Sequence, residues 1–95
     1  MVTRLIWDDW NVAHIAKHNV TPAEVEELIQ DMYVIKEAHS GRSMVLGMTQ
    51  AGRVLAVIIR FQGSAGYYVV TARPADRAER RIYQEELLKG GEQAA

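Results

Sequence analysis

At 95 residues, 48% hydrophobic and 24% charged, the chain is long enough for one domain with one core and too short for a second. It has no cysteine, which excludes disulfides, thiol catalysis and cysteine-ligated metals, and its formal net charge of -1 gives no reason by itself to expect a nucleic-acid partner. The longest apolar run, Val54 to Ile59, is too short to cross a membrane and no leader-like segment opens the sequence, so a cytoplasmic protein is expected.

Arg4 to Trp7 is a short strand candidate, and Asp8 or Asp9 can cap the helix that follows, about Trp10 to His18. Val12, Ile15 and Ala16 form its expected apolar stripe, with His14, Lys17 and His18 clustered on another side. Asn19 suits a left-handed C-terminal cap. Thr21-Pro22-Ala23-Glu24 then gives a capping box with proline at the first helical position, and the helix runs to about Gln30, burying Val25, Leu28 and Ile29. Beyond Asp31 the period becomes two. Tyr33 to Ala38, Ser43 to Thr49, Arg53 to Gln62 and Tyr67 to Ala72 read as strands joined by short glycine-containing turns, which predicts an antiparallel meander with Val54 to Ile59 in the central strand. Pro74 closes the last strand, and Asp76 with Glu79 forms a capping box for a helix from about Asp76 to Leu88. The prediction is one α+β domain over residues 1–89: an N-terminal strand, two helices, a four-stranded antiparallel meander and a C-terminal helix. Residues 90–95 are expected to form a flexible tail.

Charge is unevenly spread. Glu24, Glu26, Glu27 and Asp31 lie in a segment without a basic residue, whereas Arg42 through Arg81 holds seven arginines against Asp76 and Glu79. Solvated faces explain such a pattern, and so does a basic active face with an acidic back. Arg73, at a strand end, offers a guanidinium in the planar two-pronged geometry that suits phosphate, and Arg77, Arg80 and Arg81 share one side of the following helix. A solvated helix balanced by Glu79 and Glu85 is the competing explanation. His18 beside Lys17 has the chemistry of a general acid or base next to a cation. His14 and His18 stand at metal-ligand spacing, but the local sequence supplies no further ligands, and no metal is assigned. Trp7 and Trp10 either stack on a base or pack at the edge of the core. Tyr83 either donates a proton or fills the helix-sheet interface. Arg60 either joins the arginines of the strand-helix junction or emerges from the sheet. No phosphate-binding glycine loop, nucleophile elbow or paired-carboxylate motif is present.

Several of these residues occur together in one order: Trp7-Asp8, Lys17-His18 followed by Val20, the Thr21-Pro22-Ala23-Glu24 helix start, Arg42 before Gly47, and Thr71-Ala72-Arg73 with Glu79-Arg80-Arg81 and Tyr83. Over about residues 5 to 83 the chain resembles the BrnT toxins of bacterial BrnT/BrnA toxin-antitoxin systems. The resemblance implies a fold related to RelE-type ribonucleases and RNA cleavage without metal or cofactor, by attack of a 2′-hydroxyl on the adjacent phosphate, which inhibits translation. It also implies neutralisation by a BrnA-like antitoxin, with DNA binding belonging to that partner. Under it, Arg73 with Arg42 and Arg80 would stabilise charge on the phosphate and His18 or Tyr83 would move protons. Lys17, Arg77 and Arg81 would contact the RNA backbone. The chain departs from the usual BrnT pattern at Asn11, His14, Asn19 and Pro74. A non-catalytic interaction module, with the same basic face holding an acidic or extended partner segment, is the alternative; a neighbouring reading frame for a small ribbon-helix-helix protein would separate the two.

Overall fold

The computed structural model describes residues 2–90 and the backbone of Glu92 and Gln93. The elements in chain order are β1 (Leu5–Ile6), α1 (Asp9–Ala16), α2 (Pro22–Ile29), β2 (Met32–Glu37), β3 (Arg42–Met48), β4 (Val54–Phe61), β5 (Tyr67–Pro74), α3 (Arg77–Leu88) and β6 (Glu92–Gln93). The α+β class is as expected. The sheet has six strands in the order β1-β5-β4-β3-β2-β6. The run from β2 to β5 is antiparallel throughout, β1 adds in parallel beside β5, and β6 pairs antiparallel with β2. Glu92 and Gln93 are therefore a strand rather than part of a frayed tail, while Gly91, Ala94 and Ala95 of that tail lie outside the described residues.

Local chemistry sets the boundaries. Among the described residues the three α-helices each begin with a reciprocal capping box: Asp8 with Asn11, Thr21 with Glu24, and Asp76 with Glu79. Asn19 adopts φ +59°, ending the first helical turn sequence as its type permits. Ser40 and Gly41, at φ +60° and +72°, make the tight connection between β2 and β3.

The sheet has two packed faces. On the first, α1 and α2 cover a core built from Ile15, Val25, Leu28, Tyr33, Leu55, Val57 and Val69, and the Tyr33 hydroxyl accepts the Val2 amide at 2.8 Å. On the second, Tyr83 of α3 packs with Val34, Leu46 and Ala56. Because α3 lies over β2 and β3, the β4 and β5 side of that face carries half-buried side chains, among them Ile58, Tyr68 and Thr71.

The stripe expected on α1 is corrected by the structure. Val12 is 37% exposed and Ala16 is also exposed; the inward positions are Asn11 and Ile15. Asn11 occupies the slot one turn before Ile15, and it is polar, so hydropathy alone passes it over. Its buried amide is fully used: Oδ1 accepts the Asp8 amide at 2.9 Å, and Nδ2 donates to the Ile6 carbonyl at 2.9 Å and the Val69 carbonyl at 3.0 Å. One side chain thus ties β1, the start of α1 and β5 together.

Candidate nucleic-acid interface on the half-open sheet face

The register of β3, β4 and β5 brings together a row that no short sequence window contains. Arg42 is the direct partner of Arg60, and Arg60 is the direct partner of Tyr68. Directly opposed residues of an antiparallel pair project from the same face, so two guanidinium-bearing side chains and a phenol stand side by side. The Arg60 guanidinium carbon lies 5.3 Å from the Tyr68 ring centroid, within cation-π range. Among the described residues neither Arg42 nor Arg60 has a carboxylate within ion-pair distance. Like charges directly opposite one another weaken a sheet, so this pairing costs stability unless an anion offsets it.

Tyr68 is held from its other end. Its hydroxyl donates to the Asp8 carboxylate, 3.0 Å from Oδ2 and 3.2 Å from Oδ1, and Asp8 Oδ1 also accepts the Asn11 amide at 2.8 Å. Burial raises the Tyr68 pKa above its ordinary value, the Asp8 hydrogen bond and charge add to the rise, and Arg60 opposes it. The phenol is accordingly protonated at neutral pH. Ile6, the parallel partner of Tyr68, lines an adjoining open cleft of about 460 Å³ with Arg4, Leu5, Gln62 and Ala65.

A bulge decides which face Tyr68 uses. Tyr68 and Arg73 are an odd number of residues apart, and strict alternation would put them on opposite faces. Ile58 pairs with Thr71 and Ile59 with Val69, leaving Val70 unpaired as the extra residue. Tyr68 and Arg73 consequently share the α3 face. They remain well apart, because Arg73 pairs with Ala56 and Tyr68 with Arg60, about 13 Å along β4.

The strand-helix junction is differently used. The Arg73 guanidinium makes a two-pronged contact with Glu79, Nη1 to Oε1 at 2.7 Å and Nη2 to Oε2 at 2.8 Å, and Glu79 Oε1 also accepts the Asp76 amide at 2.9 Å. The Arg73 hydrogen bond pulls the Glu79 pKa below its ordinary value; burial pushes the other way, and the Asp76 amide and the Arg73 charge add to the lowering. Arg80 donates to the Ala75 carbonyl at 2.8 Å. The planar fork that the sequence offers to phosphate is therefore taken up by Glu79, the carboxylate of the α3 capping box. Arg77 and Arg81 are exposed on α3 and, among the described residues, have no ion-pair or hydrogen-bond partner. Tyr83 is 5% exposed, packed into the helix-sheet interface, and burial raises its pKa, with Asp31 adding to the rise.

His18 and Lys17 are not brought to this face. They follow α1, which packs on the first face through Ile15, whereas Tyr83 and α3 lie on the second. Asn19, the next residue, accepts a 3.0 Å hydrogen bond from Arg53 just before β4, and Arg53 also pairs with Glu24 at 2.6 Å. The histidines instead extend an aromatic ladder: Trp10 stacks on His14 at 4.7 Å between centroids, and His14 meets His18 edge-on at 5.7 Å. Among the described residues no group of three candidate metal ligands occurs. Trp7 packs at the edge of the first core and donates to Glu26 at 2.8 Å.

No family model, curated protein or solved structure matches this chain. Among the described residues no helix is long and apolar enough to cross a membrane. Of the residues singled out in the sequence, Arg42 and Arg60 meet in the row, Arg73 and Arg80 are tied into the strand-helix junction, and His18 and Lys17 lie in the opposite layer. Sequence reasoning missed Tyr68 and Asp8 as site residues. The available signal was Arg60 itself, a charge ending an apolar central strand, which asks what lies opposite it.

Proposed function

We propose that this protein is a BrnT-like toxin with a RelE-related fold: an RNA-binding, metal-independent ribonuclease that inhibits translation and is neutralised by an antitoxin covering its basic face. The observation that carries the RNA-binding half is the Arg42-Arg60-Tyr68 row, in which two opposed guanidinium-bearing residues have no carboxylate partner among the described residues and the nearer, Arg60, adjoins an aromatic ring. Phosphate supplies the missing counter-charge, and the ring beside it suits a base or sugar face. Exposed Arg77 and Arg81 on α3 extend positive charge along the chain that follows β5.

RNA affinity as a function of salt tests this. Roughly three to five phosphate contacts should give a log-log slope of about 0.7 per contact on single-stranded RNA. Arg42→Ala and Arg60→Ala should each weaken binding and remove about one contact from that slope. Each should leave thermal stability unchanged or slightly raised, by up to about 0.5 kcal/mol, because a like-charge pair is relieved. Affinity that ignores salt, or that survives both substitutions, removes the row from RNA recognition.

A non-catalytic interaction module is favoured by one specific observation. Arg73 and Arg80, which the resemblance would place in catalysis, are engaged by Glu79 and the Ala75 carbonyl, and His18 lies in the other layer. RNA cleavage by the purified protein in the presence of a chelator distinguishes the two: cleavage supports the toxin, and tight binding without cleavage supports the module.

A further inference from the structure

We propose that Tyr68 and Asp8 are the proton-transfer pair of the arginine row, Tyr68 protonating the 5′-oxygen that leaves the phosphate of an RNA strand and Asp8 accepting the proton of the attacking 2′-hydroxyl. This rests on the RNA-cleavage reading above and moves its chemistry from the strand-helix junction to the start of β5. The residues first favoured for catalysis are otherwise occupied: the Arg73 fork holds Glu79, Arg80 holds a backbone carbonyl, and Tyr83 is buried under α3. The Tyr68-Asp8 pair is different. It joins two titratable oxygens 3.0 Å apart, Asp8 is exposed and Tyr68 half-buried, and the ring adjoins the Arg60 guanidinium, which among the described residues has no carboxylate partner.

Placement of the pair is rigid on both sides. Asp8 is the N-cap of α1, so the Asn11 amide fixes Oδ1 while Oδ2 makes the shorter contact with the phenol. The Tyr68 ring is held by Arg60, and the Asn11 side chain donates to the carbonyl of Val69, the next residue in the strand, at 3.0 Å. A carboxylate and a phenol already in hydrogen-bond contact make a closed proton circuit. As the 2′-oxygen forms its bond to phosphorus, its proton passes to Asp8. As the bond from phosphorus to the 5′-oxygen breaks, the Tyr68 proton passes to that oxygen. The products are a 2′,3′-cyclic phosphate and a 5′-hydroxyl, with Asp8 protonated and Tyr68 a phenolate. Transfer of the Asp8 proton across the existing hydrogen bond restores both groups, so no external acid, base or oxidant is consumed. Arg42 and Arg60 hold the non-bridging oxygens as charge accumulates on them.

Two substitutions test the pair while sparing the fold. Tyr68→Phe keeps the ring beneath Arg60, and Asp8→Asn keeps an oxygen that can cap α1. Each is compared with wild type on an ordinary RNA oligonucleotide and on one whose scissile 5′-oxygen is replaced by sulfur, a leaving group that departs without protonation. Wild type should cleave both to a 2′,3′-cyclic phosphate. Tyr68→Phe should lose about a hundredfold or more on ordinary RNA and stay within about threefold of wild type on the sulfur substrate. Asp8→Asn should be impaired on both, since the 2′-proton still needs an acceptor. Equal loss of Tyr68→Phe on the two substrates makes Tyr68 structural and overturns the proposal, as does full activity on ordinary RNA. Wild type that binds RNA in a salt-dependent manner but cleaves neither substrate overturns the pair and leaves the binding reading standing. Wild type that neither binds nor cleaves overturns both.

Discussion

Replacing Asn11 with alanine should destabilise this protein far more than any neighbouring change on α1. The helix has eight residues and buries only two of them, Asn11 and Ile15. Full burial of one isoleucine is worth about 1.5–3 kcal/mol, too little to anchor a short helix and set its position alone. Asn11 supplies the rest through three hydrogen bonds, one of them a buried contact with the Val69 carbonyl. Each such bond contributes about 0.5–1.5 kcal/mol net, and an orphaned buried acceptor carries a penalty of about 1–3 kcal/mol. With some relaxation and water entry, Asn11→Ala should cost about 2–4 kcal/mol. For a domain of this size that is a fall in Tm of about 10–25 °C. Val12→Ala, at a position 37% exposed, should stay within about 0.5 kcal/mol and serves as the control. Asn11→Asp should be worse than alanine at neutral pH, because a carboxylate would face two carbonyl oxygens. Its loss should shrink as the pH falls and protonation restores one donor. Chemical denaturation followed by circular dichroism measures all three. A cost below about 1 kcal/mol for Asn11→Ala would refute the claim that this amide joins β1, α1 and β5.

Arg73→Ala should lower stability at neutral pH by about 1–2 kcal/mol, since Arg73 is 39% exposed but its partner Glu79 only 12%. Glu79 has a depressed pKa in the folded state, so its contribution is complete above the unfolded carboxylate pKa and is lost as the pH falls through the folded value. Denaturation midpoints from neutral pH down to about pH 3 should therefore fall less steeply in Arg73→Ala than in wild type; parallel curves would exclude the pair as a source of acid sensitivity. Gly66→Ala should cost more than 2 kcal/mol, roughly, because φ is +117° and a Cβ would stand 2.6 Å from the Arg4 carbonyl oxygen, which accepts the Tyr67 amide at 2.8 Å. Hydrogen exchange should show the Tyr67 amide losing protection first, and unchanged protection there would contradict the close approach. Tyr83→Phe should change stability by less than about 1 kcal/mol and leave RNA cleavage intact, whereas Tyr83→Ala should cost about 3–5 kcal/mol; loss of cleavage in a folded Tyr83→Phe protein would return Tyr83 to the chemistry.

The elements most legible in the sequence were those fixed by neighbours a few residues apart. The three capping boxes, the left-handed Asn19, the turn at Ser40-Gly41 and the central apolar strand around Val57 each follow from residues within one helical turn or one strand period. The same local logic failed at Asn11, where an inward position carries an amide instead of a hydrocarbon. It failed again at Arg73, because a carboxylate that completes a capping box was free, from sequence, to be read as solvated.

Sequence alone determined the class of structure, the helix starts and the supply of arginines, because capping, turn chemistry and hydrophobic period act between residues close in the chain. Only the tertiary structure decided which arginines are engaged and which, among the described residues, have no carboxylate partner. Cross-strand register set Arg42 beside Arg60 and Tyr68, and the unpaired Val70 shifted the phase of β5 so that Tyr68 and Arg73 share a face. A one-residue change of register reverses every side chain beyond it, and register is fixed by packing across the whole sheet rather than by any single stretch of sequence.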